Sequence, residues 1–174
     1  QKAFRSLEVG LDGLEPKGSK NSDPNIKRSR SLDLNSLRFP TSYRLLKIKE
    51  AFKRGESLER LYELTKIDPW FLNQIKIISS MTEKDSIKEL KVNGFSDAQI
   101  GKMMGKSANE IRSLRLKKGI KPVFKVVDTC AAEFVAKTPY CYSSYEEFNE
   151  ISPLEGKKVI VLGGGPNRIG QGIE

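Results

Sequence analysis

At 174 residues and 37% hydrophobic content, the chain has apolar material for one ordinary core or two small ones, and part of it is expected to stay loose. The absence of histidine removes serine–histidine nucleophiles, cysteine–histidine dyads and nearly all mixed zinc sites. A formal charge of +9, from 31 Lys and Arg against 22 Asp and Glu, invites a polyanion as partner.

In chain order, QKAFRSLEVG reads as the last turns of a helix that runs out at Gly10. Gln1 is no initiator, so the chain is expected to be an internal piece of something longer. Residues 15–40 are polar and punctuated by Pro16, Gly18 and Asp23-Pro24. They predict a linker with one short helix after Pro24, capped by Asp23. From Thr41 the character changes. Leu45, Ile48 and Phe52 fall at helical spacing, and Gly55 closes that helix. Ser57 opens a second helix with Leu58, Leu61 and Tyr62 on one face. Asp68-Pro69 opens a third that buries Phe71, Ile75 and Ile78, with Trp70 near its entry. Three short amphipathic helices must hide their stripes on one another, and the sole tryptophan is placed between the second and third as a core anchor.

Residues 83–93 form the next helical block, ended by Gly94. Two capping boxes follow, Ser96 with Gln99 and Ser107 with Glu110, each satisfying two orphan amides reciprocally. Ile100, Met103 and Met104 line the first of these helices; Ile111 and Leu114 line the other, which Gly119 ends. With Gly105 at the turn and the small Gly101 at the crossing, residues 94–120 have helix-turn-helix spacing. The second helix would then expose Asn109, Arg112, Ser113, Arg115 and Lys117, a set able to read a DNA groove. Two capped helices crossing steeply are also a common packing unit, with the basic residues simply solvated.

After Pro122 the helical period is lost. VFKVVD can be extended, CAAEFVA can make a helical turn or two, and TPYCYSSYEEF is aromatic and turn-rich. Phe124, Phe134, Tyr140, Tyr142, Tyr145 and Phe148 are too many aromatics for a free linker, so residues 121–152 are expected to form an ordered connector lying over other parts of a longer protein. Cys130 and Cys141, eleven apart with no C-x-x-C pair, read as reduced, buried thiols. No apolar run of about 18 residues and no signal pattern exists, so a soluble, cytoplasmic protein without membrane contact is expected. The bases are segregated, twelve against five acids over 17–60 and eleven against four over 84–125. In 126–155 Lys137 alone faces six acids, so compensation within the molecule is as good an account of the charge as a polyanion. The pairs Glu146 with Glu147 and Asp97 with Glu110 read as surface charges. Finally KKVIVLGGGPNRIGQGIE offers a doubly covered strand, Val159-Ile160-Val161-Leu162, running into a glycine turn. Gly163 and Gly165 are followed by Arg168 where a dinucleotide fingerprint wants glycine, and Gly170 by Gln171 where a phosphate loop wants lysine. A tight turn and a weak anion contact both remain open.

Four stretches, RGESLERLYELTKIDPWFLNQI, GFSDAQI, PVFKVVDTCAAEFVAKTPYCYSSYEEFNE and VIVLGGGPNRIGQGIE, run in an order that resembles the large, synthetase subunit of carbamoyl-phosphate synthase. QKAFRSLEVG is similar to the tail of that family's first ATP-grasp domain. The resemblance implies a mainly α fold. Residues 1–15 would be the end of the first ATP-grasp domain and 16–153 a small multi-helix oligomerisation domain. Residues 154–174 would be the first β-strand and glycine turn of a second pre-ATP-grasp, Rossmann-like α/β domain. It implies a parent that is an ATP-dependent carbon–nitrogen ligase, glutamine-hydrolysing, making carbamoyl phosphate from bicarbonate, glutamine-derived ammonia and ATP for arginine and pyrimidine biosynthesis. ATP with Mg or Mn would bind in the ATP-grasp domains. This segment is therefore expected to hold no catalytic, cofactor-binding or metal-binding residue and to be inactive alone. The implied partners are those flanking domains, the glutaminase small subunit and a second copy, with no nucleic acid. The GQGIE turn is similar to the family's lining of an internal carbamate passage, which puts Gly172 and Glu174 beside it; Asn167 and Arg168 take no role. A helix-turn-helix DNA-binding module over 94–120 is the alternative reading.

Overall fold

The computed structural model describes residues 1–7, 9–16, 33–135, 137 and 140–160. Helix α1 (Lys2–Ser6) leads into a minimal hairpin, β1 (Leu11–Asp12) and β2 (Glu15–Pro16), with Leu11 opposite Pro16 and Asp12 opposite Glu15. Gly13, at φ 66, takes the first position of its two-residue loop, where the twist of a hairpin asks for a positive φ. A Cβ there would also collide with the Gln1 and Gln99 side chains. Two-residue strands leave no alternation to detect, which is why the sequence does not announce this hairpin. The short helix expected after Pro24 lies outside the described residues. A 3-10 turn at Leu34–Arg38 follows, opened by Asp33, whose carboxylate accepts from the Asn35 amide at 3.0 Å.

Helices α2 (Arg44–Lys53), α3 (Leu58–Thr65) and α4 (Pro69–Ser80) pack with the 3-10 turn and the hairpin around a first core. Leu37, Ile48, Leu61 and Leu72 are fully buried there. Ser57 and Asp68 cap α3 and α4 as expected, and the Gly55 turn ends α2 with the Glu56 amide reaching back to the Ala51 carbonyl at 3.1 Å. The buried faces keep Ile48, Phe52, Leu61 and Ile75 as expected but differ at their edges. α2 turns in Leu46 beside Ile48 and Phe52, while Leu45 is only partly buried; α3 turns in Leu64 and Thr65, while Tyr62 is exposed. In α4 Leu72 and Ile75 point inward, and Phe71 and Trp70 remain 58% and 62% exposed. Trp70 is therefore not a core anchor. Its ring meets Phe71 edge-on at 4.9 Å on the outer surface.

Helices α5 (Ile87–Val92), α6 (Asp97–Met104) and α7 (Ala108–Lys117) enclose a second core of Ile87, Leu90, Phe95, Ile100 and Ile111, against which Met103, Met104 and Leu114 pack. Ile78, near the end of α4, touches both cores and joins them. The helix expected over 83–93 is shorter, because Ser86 and Glu89 form a capping box that sets its start. Both other capping boxes are present. Gly101 sits where α6 meets the turn before α7, and a Cβ there would strike the Lys106 carbonyl oxygen.

Strand β3 (Val123–Val126) pairs antiparallel with β4 (Cys141–Ser144), Val126 opposite Cys141 and Val123 opposite Ser144. Asn149 and Glu150 line the free edge of β3. The Asn149 side chain accepts from the Phe124 amide at 2.8 Å, and the Glu150 amide donates to the Phe124 carbonyl at 2.9 Å. Residues 130–135 of the CAAEFVA stretch make turns and bends rather than helix, with Ala131 and Ala132 at positive φ. Cys130 is half-buried and Cys141 exposed, so neither is the buried thiol expected. Val159 and Ile160 lie outside any strand and are exposed, and the remainder of the expected final strand and its glycine turn fall outside the described residues.

Candidate functional site

The polar chemistry of the molecule is concentrated in a seam where the amino-terminal segment crosses both helical units. Ser96 caps α6 so that Gln99 stands at its third position, and this puts the Gln99 amide, almost wholly buried, against the hairpin. Its nitrogen donates to the Asp12 carbonyl at 2.6 Å and to the Gln1 side-chain oxygen at 3.1 Å; its oxygen accepts from the Arg5 guanidinium at 2.9 Å and from the Ser96 amide at 2.9 Å. Arg5 also donates to the Gly94 carbonyl at 3.0 Å, and the Ser96 hydroxyl to Asp12 Oδ1 at 3.2 Å. One side chain thus links α1, β1 and α6 with every partner satisfied.

Two ion clusters flank this hub. On the first unit, buried Lys49 donates to the Leu14 carbonyl at 3.2 Å and to Glu15, which Lys53 also reaches at 3.2 Å. Burial acts most strongly on the Glu15 carboxyl and would raise it, yet the two ammoniums outweigh burial and hold it below its usual value. On the second unit, Asp97 accepts from Lys91 at 2.9 Å and from Arg115 Nε at 2.9 and 3.1 Å. Burial again pushes that carboxyl up, and again the hydrogen bonds from the two cations prevail and leave it lowered. Tyr145, from the connector after β4, lays its ring under both cations, 4.9 Å from Lys91 Nζ and 5.8 Å from Arg115. The ring's negative face offsets part of the excess positive charge.

Neither carboxylate is placed for acid–base chemistry. Each is kept ionised by neighbours that leave it no proton to give at neutral pH, and each holds elements together. Among the described residues no group of three or more His, Cys, Asp or Glu could hold a metal ion. A cleft of about 420 Å³ opens between the hairpin, α2, the end of α4 and α6, walled by Ile78, Met81, Phe95 and Met103 with Lys53 and Lys102 at its charged edge.

The residues singled out from sequence fare unequally. Asp97 is not the surface charge expected; Arg115 is buried on it and donates through its other arm to the Ile120 carbonyl at 3.2 Å. Asn109, Arg112, Ser113 and Lys117 are exposed on α7, so the set that would read a groove lacks its central arginine. Lys125 meets Glu146 at 3.5 Å and Glu150 at 3.0 Å, an internal use of the segregated charges. Gly172 and Glu174, like Asn167 and Arg168, lie outside the described residues. The Gln99 hub is legible only as a capping box, because its long-range partners are 87 to 98 residues away.

Fold and seam together define a helical module whose buried charges serve its own packing. Residues 1–119 match the family described as carbamoyl-phosphate synthetase large chain, oligomerisation domain. Three relatives, each named carbamoyl phosphate synthase large chain, are similar along the chain. Those of Archaeoglobus fulgidus and Pseudomonas aeruginosa are both 44% identical, over all of this chain and 17% of theirs. That of Streptomyces avermitilis is 42% identical over 97% of this chain and 16% of its own. The chain therefore belongs to the carbamoyl-phosphate synthetase large-chain family, through its oligomerisation domain, and spans about a sixth of the length of these relatives. No helix among the described residues is long and apolar enough to cross a membrane.

Proposed function

We propose that the chain is the central helical oligomerisation and linker segment of the large chain of a glutamine-dependent carbamoyl-phosphate synthase, itself structural. The parent is read as a cytoplasmic ATP-dependent ligase that makes carbamoyl phosphate from bicarbonate, glutamine-derived ammonia and ATP for arginine and pyrimidine supply. The observation that carries this is the family match over residues 1–119 together with 44% identity along the whole chain to large chains of that name. A seam in which the polar side chains are spent on one another supports a structural role for the segment itself. On this reading residues 1–15 end one ATP-grasp domain, 16–153 form the spacer and 154–174 begin the next α/β domain. ATP and its Mg or Mn bind in the flanking domains, and the glutaminase small subunit docks on the parent. Gly172 and Glu174 border the carbamate passage.

The test uses the full-length large chain in its complex. Bicarbonate-dependent ATP hydrolysis and carbamoyl phosphate formation are expected there and no turnover from the 174-residue chain; a full-length chain without that hydrolysis sinks the reading. Gly172→Phe in the full-length chain is expected to leave ATP hydrolysis within about twofold while product per ATP drops at least tenfold, and unchanged coupling removes the passage assignment.

A further inference from the structure

We infer that the outer face of α4 is a docking face for another domain of the same longer chain, one that lies outside residues 1–174. The inference rests on the reading of this chain as a segment of a large chain. α4 carries a single charge, Lys76, in its twelve residues PWFLNQIKIISS, whereas every other α-helix among the described residues carries at least two in a shorter span. Leu72 and Ile75 point into the first core and Ile78 joins it to the second, so Trp70, Phe71 and Ile77 are surplus to the fold. Trp70 and Ile77, seven residues apart, share one outward face of the helix, with Phe71 beside Trp70. They are 62%, 38% and 58% exposed. The edge-on contact of the two rings at 4.9 Å and 90° fixes their shape in advance, so covering them costs little side-chain freedom. Asn73, exposed one turn after Trp70, offers a hydrogen-bonding group in the middle of the patch.

Size decides between occupants. Three side chains at these exposures present roughly 300 Å² of apolar surface. That is well under the ~800 Å² per partner of a stable association between separate molecules. It suits a contact between domains of one chain, where interfaces start near ~600 Å² in total and the covalent link supplies a high effective concentration. The relatives contain about five-sixths of their length beyond the part this chain matches, so such a domain is available.

The experiment places the photoreactive residue p-benzoylphenylalanine at Phe71, and in a second variant at Ile77, of the full-length large chain in its native complex. After irradiation, a cross-linked peptide from outside residues 1–174, in a product of the single chain's mass, is expected from both positions. Cross-links that join two large chains, cross-links to another subunit, or none from either position overturn the proposal. Bicarbonate-dependent ATP hydrolysis is read on the same samples. Hydrolysis without the intramolecular adduct sinks the docking face alone; absence of hydrolysis in the unmodified chain sinks the functional reading beneath it.

Discussion

Asp97 neutralises one of the two cations that it binds, and this imbalance decides how the second helical unit responds to acid. Its folded carboxyl is held below the ordinary value, so the unfolded chain takes up its proton first as pH falls. Stability from the Lys91–Asp97–Arg115 cluster is thus complete above the ordinary Asp value of 3.8 and drains away as pH drops through the lower folded value. Glu15 adds loss of the same sign, from an ordinary value of 4.5 downward. Asp97→Asn is expected to lower stability at pH 7, because two buried cations lose their anion. It should also flatten the fall as pH drops below about 4; urea midpoints measured through that fall check both. At Gly101 the prediction is steric. Gly101→Ala drives a methyl into the Lys106 carbonyl oxygen, a backbone atom that cannot swing away, and is expected to cost about 1–3 kcal/mol by urea denaturation. The small residue at this crossing is legible from the helix-turn-helix spacing. The burial of Arg115 is not, because its charge argues for the outer face although it stands one turn after Ile111, and only the fold brings Asp97 beneath it.

At the scale of elements, what a residue does to its own backbone can be read from sequence, and what it does to another element cannot. The caps at Ser57, Asp68, Ser96 and Ser107 all act within three residues, and all stand where the spacing places them. Helix phase is different. In α4 the pattern of Phe71, Ile75 and Ile78 and that of Leu72, Ile75 and Ile78 are both helical, and packing in the first core selects the second. The two later capping boxes make the distinction measurable. Ser107 and Glu110 serve only α7, so Ser107→Ala is expected to cost about 1 kcal/mol. Ser96 caps α6 and also donates to the nearly buried Asp12 carboxylate, so Ser96→Ala should cost about twice that. Equal costs, by thermal or urea melts of the two variants, would mean that the hairpin contact adds nothing.

At the scale of the whole molecule, two small cores have to behave as one body, and little apolar surface joins them. Among the described residues, Ile78 is the hydrophobic side chain packed against both cores, and the polar seam centred on Gln99 adds a second link. Such a junction is specific because its hydrogen bonds have defined partners, and it is fragile because removing one partner leaves several others buried and unpaired. Gln99→Ala would strand the Asp12 carbonyl and one arm of the Arg5 guanidinium at once, while keeping the helix and most of the second core intact. The expected loss is about 2–3 kcal/mol. Its location is more telling than its size. Amide exchange should quicken over α1 and the hairpin, and the two cores, expected to unfold in one step in the unsubstituted chain, should melt separately. A variant that loses stability but still unfolds in one step, with exchange raised evenly across both cores, would place the coupling in the Ile78 contact instead.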